Sequence, residues 1–485
     1  MDKSVRDKYT AVIGLEIHAQ LNTESKAFSS DPNIYGVAPN TNVSPISLGH
    51  PGTLPRLNEK SIEYGIKLGL ACNSQITPYN EFSRKNYFYA DLPKGYQISQ
   101  FDTPICTGGS VEIRLESGKT KHIGLTRIHI EEDSGKSIHD IDPFNSLVDL
   151  NRAGVPLLEV VTEPEISSAD EAYEYLTEIR KLVRYLGICD GNMEEGSMRC
   201  DANISVMLND AEQFGEKVEV KNMNSIRNVK RAISHEIERQ IELVEEGADI
   251  QSETRGFDAT SGTTIQMRGK EGVNDYRYFP EPDLLPYIVN EEKIKTISKD
   301  MPTLPNALLK TFTSEYGLSE YDALNIIESK EISEYYLDII SHTKNYKTAA
   351  NWVMGDIKSH LNKFGIHIED FPITPKQIAE IIELIHSDQI SHSIASQKLF
   401  PALLESTNNS PLELAKELDL IQNSNEDELG SVIDAVFEQF PDETSRIKNG
   451  EMKLIGFFMG QIMKASKGKA DPKKTNALLM QKIKS

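Results

Sequence analysis

Apolar and polar residues alternate strictly through Gly14-Leu15-Glu16-Ile17-His18-Ala19-Gln20-Leu21. An extended strand there puts Leu15, Ile17, Ala19 and Leu21 on one face and Glu16, His18 and Gln20 on the other. The period of two returns from Met198 to Val206, where Arg199, Asp201, Asn203 and Ser205 oppose Cys200, Ala202, Ile204 and Val206. It returns again from Lys217 to Lys221, with Lys217, Glu219 and Lys221 opposite Val218 and Val220. Leu157 to Val161 is different: a nearly all-apolar strand interrupted by Glu159, a carboxylate costly to bury unless it is paired or bound to a cation. Short runs of this kind, punctuated by Gly, Pro and Asn, continue to about Ile297 and predict a sheet-based domain.

Beyond that point the period lengthens. Asn306 to Phe312, Glu320 to Ser329, Ile332 to Ser341, Lys347 to Phe364 and Pro375 to His386 carry apolar residues at helical spacing, after a boundary marked by Pro302 and Pro305. The polar stretch from Ser406 to Pro411 reads as a linker to a last, smaller helical unit. The expected plan is therefore α+β: an antiparallel-sheet domain over 1–297, a helical domain over 298–408 and a helical tail over 409–485.

Composition narrows the classes of function. A chain of 485 residues with 38% hydrophobic and 26% charged residues is an ordinary globular protein of several domains. No apolar run approaches a membrane span and the N-terminus lacks a signal-peptide core, which predicts a cytoplasmic protein. The four cysteines stand far apart, with no pair spaced for zinc or for a disulfide framework. A net charge of -22 opposes broad affinity for nucleic acid, so any such surface must be local. The C-terminal segment is the one inversion of that charge: Lys464, Lys467, Lys469, Lys473, Lys474, Lys482 and Lys484 stand against the single acid Asp471.

The chemistry lies on the polar strand faces. Arg127-Ile128-His129-Ile130-Glu131-Glu132-Asp133 ends in three consecutive acids, and alternation groups Glu131, rather than Glu132, with Arg127 and His129. Oxygen ligands with an imidazole suit magnesium or manganese holding a nucleotide's phosphates, whereas zinc would recruit thiolates. Gly135-Lys136-Ser137 matches the end of a phosphate-binding loop, but that motif needs glycine where Ile130 stands, so ATP would be held by metals and side chains. The segment from Arg84 to Gln97, with Arg84, Lys85 and Tyr87, combines phosphate donors with rings that either stack on a base or belong to the core. Asp275 to Asp283, with Arg277, is a second basic and aromatic cluster in a proline-stiffened loop.

These motifs together resemble those of the B subunits of aspartyl/glutamyl-tRNA amidotransferases. The resemblance is carried by Val12 to His18, Arg84 to Tyr89, Ile130 to Ser137, Val148 to Arg152, Met193 to Asn203 and Asp275 to Asp283, and extends to Gly456 to Lys464 and Ser466 to Gly468. It implies a glutamine-synthetase-like cradle, then a helical domain and a tail that contacts tRNA, here through Lys464, Lys467 and Lys469. It further implies that ATP phosphorylates the side-chain carboxylate of glutamate, or of aspartate, on a mischarged tRNA. Ammonia from a glutaminase partner, the A subunit, then displaces phosphate, and a small C subunit joins the assembly. By position, His18, Glu132 and Glu159 would hold one magnesium and Glu16, Asp201 and Glu219 a second, unless Glu131 takes the place of Glu132. Arg84, Lys85, Tyr87, Arg199, Lys221 and Arg277 form the expected nucleotide-contacting set. Many relatives carry a four-cysteine zinc site where this chain has Ser29, Asp31, Ser44 and Ser47, so no zinc is expected and a hydrogen-bonded or packed loop should replace it. Two other readings remain at this stage, a self-sufficient carboxylate-amine ligase and an inert tRNA-binding protein.

Overall fold

The computed structural model describes residues 2–139, 141–269, 276–421, 426–466 and 470–484. Contacts divide the chain into two compact units, 1–304 and 305–485.

The first unit is built on one long sheet. The strands of its main path include β1 (Tyr9–Gln20), β2 (Ser83–Asn86), β3 (Tyr96–Ser99), β4 (Thr120–Glu132), β5 (Pro156–Thr162), β6 (Met198–Leu208), β7 (Val218–Lys221), β8 (Glu253–Asp258) and β9 (Thr263–Gly269), and Gln75–Ile76, Cys106–Thr107 and Ser110–Arg114 pair off that path. Their order across the sheet is β9-β8-β7-β6-β1-β5-β4-β3-β2, and Phe279–Pro280 adds a short strand beyond β2. All these pairs are antiparallel except β7 with β8. β1 lies at the centre and its alternation is complete: every second residue from Tyr9 to Ala19 is buried.

Three amphipathic helices contribute the cover of the apolar face: α1 (Glu59–Ala71), α2 (Ala169–Tyr185) and α3 (Ile226–Glu245). Each starts where a side chain takes up orphan N–H groups, Asn58 accepting from Lys60, Ser168 from Glu171 and Ser225 from Asn228. Their buried stripes, such as Tyr175, Leu176 and Ile179 on α2 and Val229, Ala232 and Ile233 on α3, join Ile13, Leu15 and Ile17 in one core. The other face of the central strands is thereby left to Glu16, His18 and their neighbours.

The sheet-then-helix plan expected from the period change is the observed one. A further helix, α4 (Glu291–Lys299), belongs to the first unit: Ile297 is buried in its core, with Ile294, Met301 and Leu304 packed against it.

In the second unit, Pro375–His386 forms α5, whose limits coincide with the expected ones, and Pro411–Glu417 forms α6. The polar stretch between them is not a free linker. Gln377 on α5 donates to the carbonyls of Thr407 (2.7 Å) and Asn409 (3.0 Å), and α6 buries Pro411, Leu414 and Ala415. A separate small core forms later, from Leu429, Ile433, Ile447, Phe458, Ile462, Leu479 and Ile483 among others. No helix among the described residues is long and apolar enough to cross a membrane.

Candidate active site on the polar face of the sheet

Antiparallel register brings residues distant in sequence into line. Across β1 and β6, Glu16 faces Asp201 and His18 faces Arg199; across β1 and β5, His18 faces Glu159. Glu159 in turn faces His129 on β4, and Asn203 faces Glu219 on β7. Two groups result, His18 with Glu131 and Glu159, and Glu16 with Asp201 and Glu219, each with ligand atoms within 4.8 Å of one another.

In the first group His18 Nε2 lies 3.3 Å from Glu159 Oε2, and His129 Nε2 lies 3.4 Å from the same oxygen. Lys85 Nζ stands 3.3 Å from Glu131 Oε2, and Gln97 Nε2 donates to Glu131 Oε1 at 3.1 Å. In the second, Lys221 pairs with Asp201 and lies 3.0 Å from Glu219 Oε1. Asn203 Nδ2 donates to Glu16 Oε1 at 3.3 Å and Thr254 Oγ1 to Glu219 Oε2 at 2.9 Å.

Glu132 is not in either group, which corrects its placement as a ligand beside His18 and Glu159. No bulge turns it toward them: β4 pairs regularly with β5 through Glu131 and Glu132, and the register shifts only at Val161/Thr162. Parity therefore sends the Glu132 carboxylate to the opposite face, where it accepts the Ile98 N–H at 2.8 Å and pairs with Lys94. Glu131 occupies the expected position instead.

Arg84 is displaced by the same rule. Its guanidinium reaches Glu281 at 2.7 and 2.8 Å and Asp283 at 3.3 Å and lies over the Tyr96 ring, whereas its neighbour Lys85 reaches the first acid group. Tyr87 is half-buried, its hydroxyl against Gln97 and its ring edge-on to Tyr89 and Tyr276, while Phe88 is 88% exposed. Arg277 is exposed and takes a left-handed backbone with φ 46°, rare for a side chain of its size. Lys464 is exposed on a helix of the second unit; Lys467 and Lys469 lie outside the described residues.

Two groups were not among the expected site residues. His129 is betrayed by its alternation with Glu131. Asp133 has no such signal, since it lies beyond the strand end; it is buried, accepts from Gln20 Nε2 (2.7 Å) and Arg199 Nη2 (2.6 Å), and so fixes the guanidinium beside the site.

The electrostatics separate the two groups. Burial would raise the pKa of Glu159, but His129 and His18 overcome it and hold the carboxyl well below its usual range. Burial likewise opposes charge on His18, yet its hydrogen bond to Glu159 and that carboxylate's charge leave its pKa raised. Glu16 is pushed up, first by burial and then by the carboxylates of Glu159 and Asp201. Around it three acids face one lysine, an excess of negative charge on oxygen donors that suits a divalent cation. Lys85 and Lys221 are both burdened by burial and both raised by their acid neighbours, so they stay cationic.

Ser29, Asp31, Ser44 and Ser47 form a hydrogen-bonded cluster. Ser29 Oγ lies 3.1 Å from Ser47 Oγ, and Asp31 accepts from the Ser47 hydroxyl and, at 2.9 Å, from the Ser44 N–H. Lys26 is fully buried beside it and donates to the Asn42 carbonyl at 2.6 Å.

Residues 11–295 match the family model of the GatB/GatE catalytic domain and residues 334–483 that of the GatB domain. The chain belongs to this family, the B subunits of tRNA-dependent amidotransferases. It is similar to the aspartyl/glutamyl-tRNA(Asn/Gln) amidotransferase B subunit of Thermodesulfovibrio yellowstonii, 48% identical over 98% of this chain and 100% of that one. The proteins of the same name from Geotalea daltonii (47%, over 98% and 99%) and Crocosphaera subtropica (49%, over 98% and 97%) are comparably similar.

Proposed function

We propose that this chain activates the side-chain carboxylate of glutamate or aspartate on a mischarged tRNA by phosphorylation from ATP. A carboxylate is a poor acyl donor, because its leaving group would be oxide. Transfer of the γ-phosphoryl group to a carboxylate oxygen gives an acyl phosphate and ADP. Ammonia then attacks the carbonyl carbon, a C–N bond forms, the C–O bond to phosphate breaks, and the amide remains on the tRNA. Ammonia is supplied by a glutaminase partner, the A subunit, with a small C subunit completing the assembly.

The observation that carries this reading is the pair of acid groups side by side on one sheet face, Glu16 and His18 being alternate residues of a single strand. His18, Glu131 and Glu159 would hold one magnesium and Glu16, Asp201 and Glu219 another; magnesium there supplies charge neutralisation for phosphoryl transfer. The chain's own cations act beside them. Lys85 and Lys221 remain protonated and so offer fixed donors to anionic oxygens, and Arg199 is oriented by Asp133 toward the same face.

The test uses the assembled amidotransferase with ATP, magnesium and each mischarged tRNA. Asp201→Ala and His18→Ala should abolish amidation while glutamine hydrolysis by the partner persists. Amidation at the normal rate in both variants would refute the assignment.

A further inference from the structure

β7 and β8 form the one parallel pairing of the strands named above, and α3 is the crossover between them. Glu219 stands opposite Thr254 in that register. The Thr254 hydroxyl donates to Glu219 Oε2 at 2.9 Å, while Lys221 Nζ lies 3.0 Å from Oε1, so each carboxylate oxygen has a neighbour of its own. Thr254 is buried.

The strand that carries Thr254 is held from its other face. Glu253 and Arg255 flank Thr254 and by alternation turn the opposite way, toward α3. Arg255 donates to Glu253 Oε1 at 2.7 Å, to the Thr264 hydroxyl on β9 at 2.9 Å and to the Thr264 carbonyl at 2.8 Å. The Thr264 hydroxyl donates to Glu236 Oε2 at 2.9 Å, and Arg239, on α3 like Glu236, donates to Glu236 Oε1 at 2.6 Å. Glu236 is fully buried. A buried network of two acids and two arginines is weak evidence for added stability, and the best-attested use of such groups is to fix register. Register is what the second acid group needs here. A slip of one residue would turn Thr254 toward α3 and bring Glu253 or Arg255 to Glu219. The β8–β9 ladder shifts between Thr254 and Arg255, a bulge at the same point of the strand.

We infer that Thr254 is a positioning residue for Glu219: its hydroxyl fixes the carboxylate so that Glu16, Asp201 and Glu219 present a preformed set of oxygens to a divalent cation. The inference rests on the magnesium reading above and deepens it. Glu16 accepts from the amide of Asn203, and Asp201 pairs with Lys221. A dication among these acids repels the Lys221 ammonium, whereas a neutral hydroxyl can keep its bond to one oxygen of Glu219 while the other coordinates. Thr254 is thus the neighbour of Glu219 that a bound cation leaves in place, and the buried network beneath it keeps the hydroxyl in line with that acid.

Manganese binding to the full-length chain, read by electron paramagnetic resonance at the site that Asp201→Ala removes, tests this. Thr254→Val keeps the branched shape and loses the hydroxyl; Thr254→Ser keeps the hydroxyl and loses the methyl group. Thr254→Val should weaken manganese by about tenfold or more, and Thr254→Ser should stay within about threefold of wild type. A role in packing alone predicts the opposite order, because Val preserves the packed shape better than Ser. Circular dichroism verifies folding, and if Thr254→Val fails to fold, Thr254→Ala is compared with Thr254→Ser in its place. Wild-type affinity in a folded variant without the hydroxyl, or a loss in Thr254→Ser as large as in that variant, overturns the positioning role alone. An Asp201→Ala chain that binds manganese as wild type does overturns the metal assignment of this acid group, and this inference with it.

Discussion

Glu131 and Glu132 are adjacent in sequence and serve opposite faces of the sheet: Glu131 Oε2 lies 3.3 Å from Lys85 Nζ, whereas Glu132 Oε1 takes the Ile98 N–H at 2.8 Å. Their conservative variants should therefore behave differently. Glu131→Gln is expected to lower manganese affinity, read by electron paramagnetic resonance, by about tenfold or more through loss of a charged ligand. Glu132→Gln should leave it within about twofold. The reverse order would return Glu132 to the metal site.

Asp31 holds together the loop that carries Ser29, Ser44 and Ser47. Asp31→Ala leaves the Ser47 hydroxyl and Ser44 N–H without their acceptor, and should destabilise the cradle by about 1–3 kcal/mol. The wild-type protein should contain no stoichiometric zinc and should melt at the same temperature in a strong chelator. One zinc per chain by elemental analysis, or a chelator-induced fall in melting temperature, would contradict both statements.

Lys26 gives a pH signature. Burial, opposed by Asp31, Glu132 and Asp149 and assisted by Lys94, pushes its pKa down to about 8. An unfolded lysine titrates near ~10.4. Between these values the unfolded chain holds a proton that the folded chain has released, so this group's contribution to stability rises with pH. Below about 8 its cost is full and constant. Thermal unfolding of wild type and Lys26→Met across pH 7 to 10 should show wild type gaining relative to the variant as pH rises. A difference independent of pH would exclude the shift.

The limits of an informative tail deletion follow from how α6 packs. Because α6 packs in the middle helical body, the deletion that removes the last small core begins at Glu426 and leaves Pro411–Glu417 in place. It should weaken tRNA binding far more than ATP binding. It should also flatten the fall of tRNA affinity with salt, as lysine contacts to phosphate are lost. Filter binding across a salt series, with superimposable curves for the two proteins, would reject the tail as a tRNA contact.

Which strand faces are polar follows from the local pattern alone, because a period of two separates a buried face from an open one. The face occupied by Glu16, His18, Asp201 and Glu219 was legible in this way; Glu159 stood out instead as the one carboxylate in an apolar strand, and parity grouped Glu131 with His129 although the resemblance pointed first to Glu132. Helix limits such as Pro375–His386 were equally local, set by capping residues and spacing. Only tertiary structure decided which of these residues meet. Register across five strands, from β4 to β7 through β5, β1 and β6, sorts six candidate ligands into two groups, and no local pattern encodes which strand lies beside which. It decided as well that Arg84 is spent on Glu281 while Lys85 faces the acids, that Asp133 reaches Arg199, and that the polar stretch after Glu405 is fastened to α5. Each of these depends on residues separated by tens to hundreds of positions, and distance along the chain carries no information about them until the elements have packed.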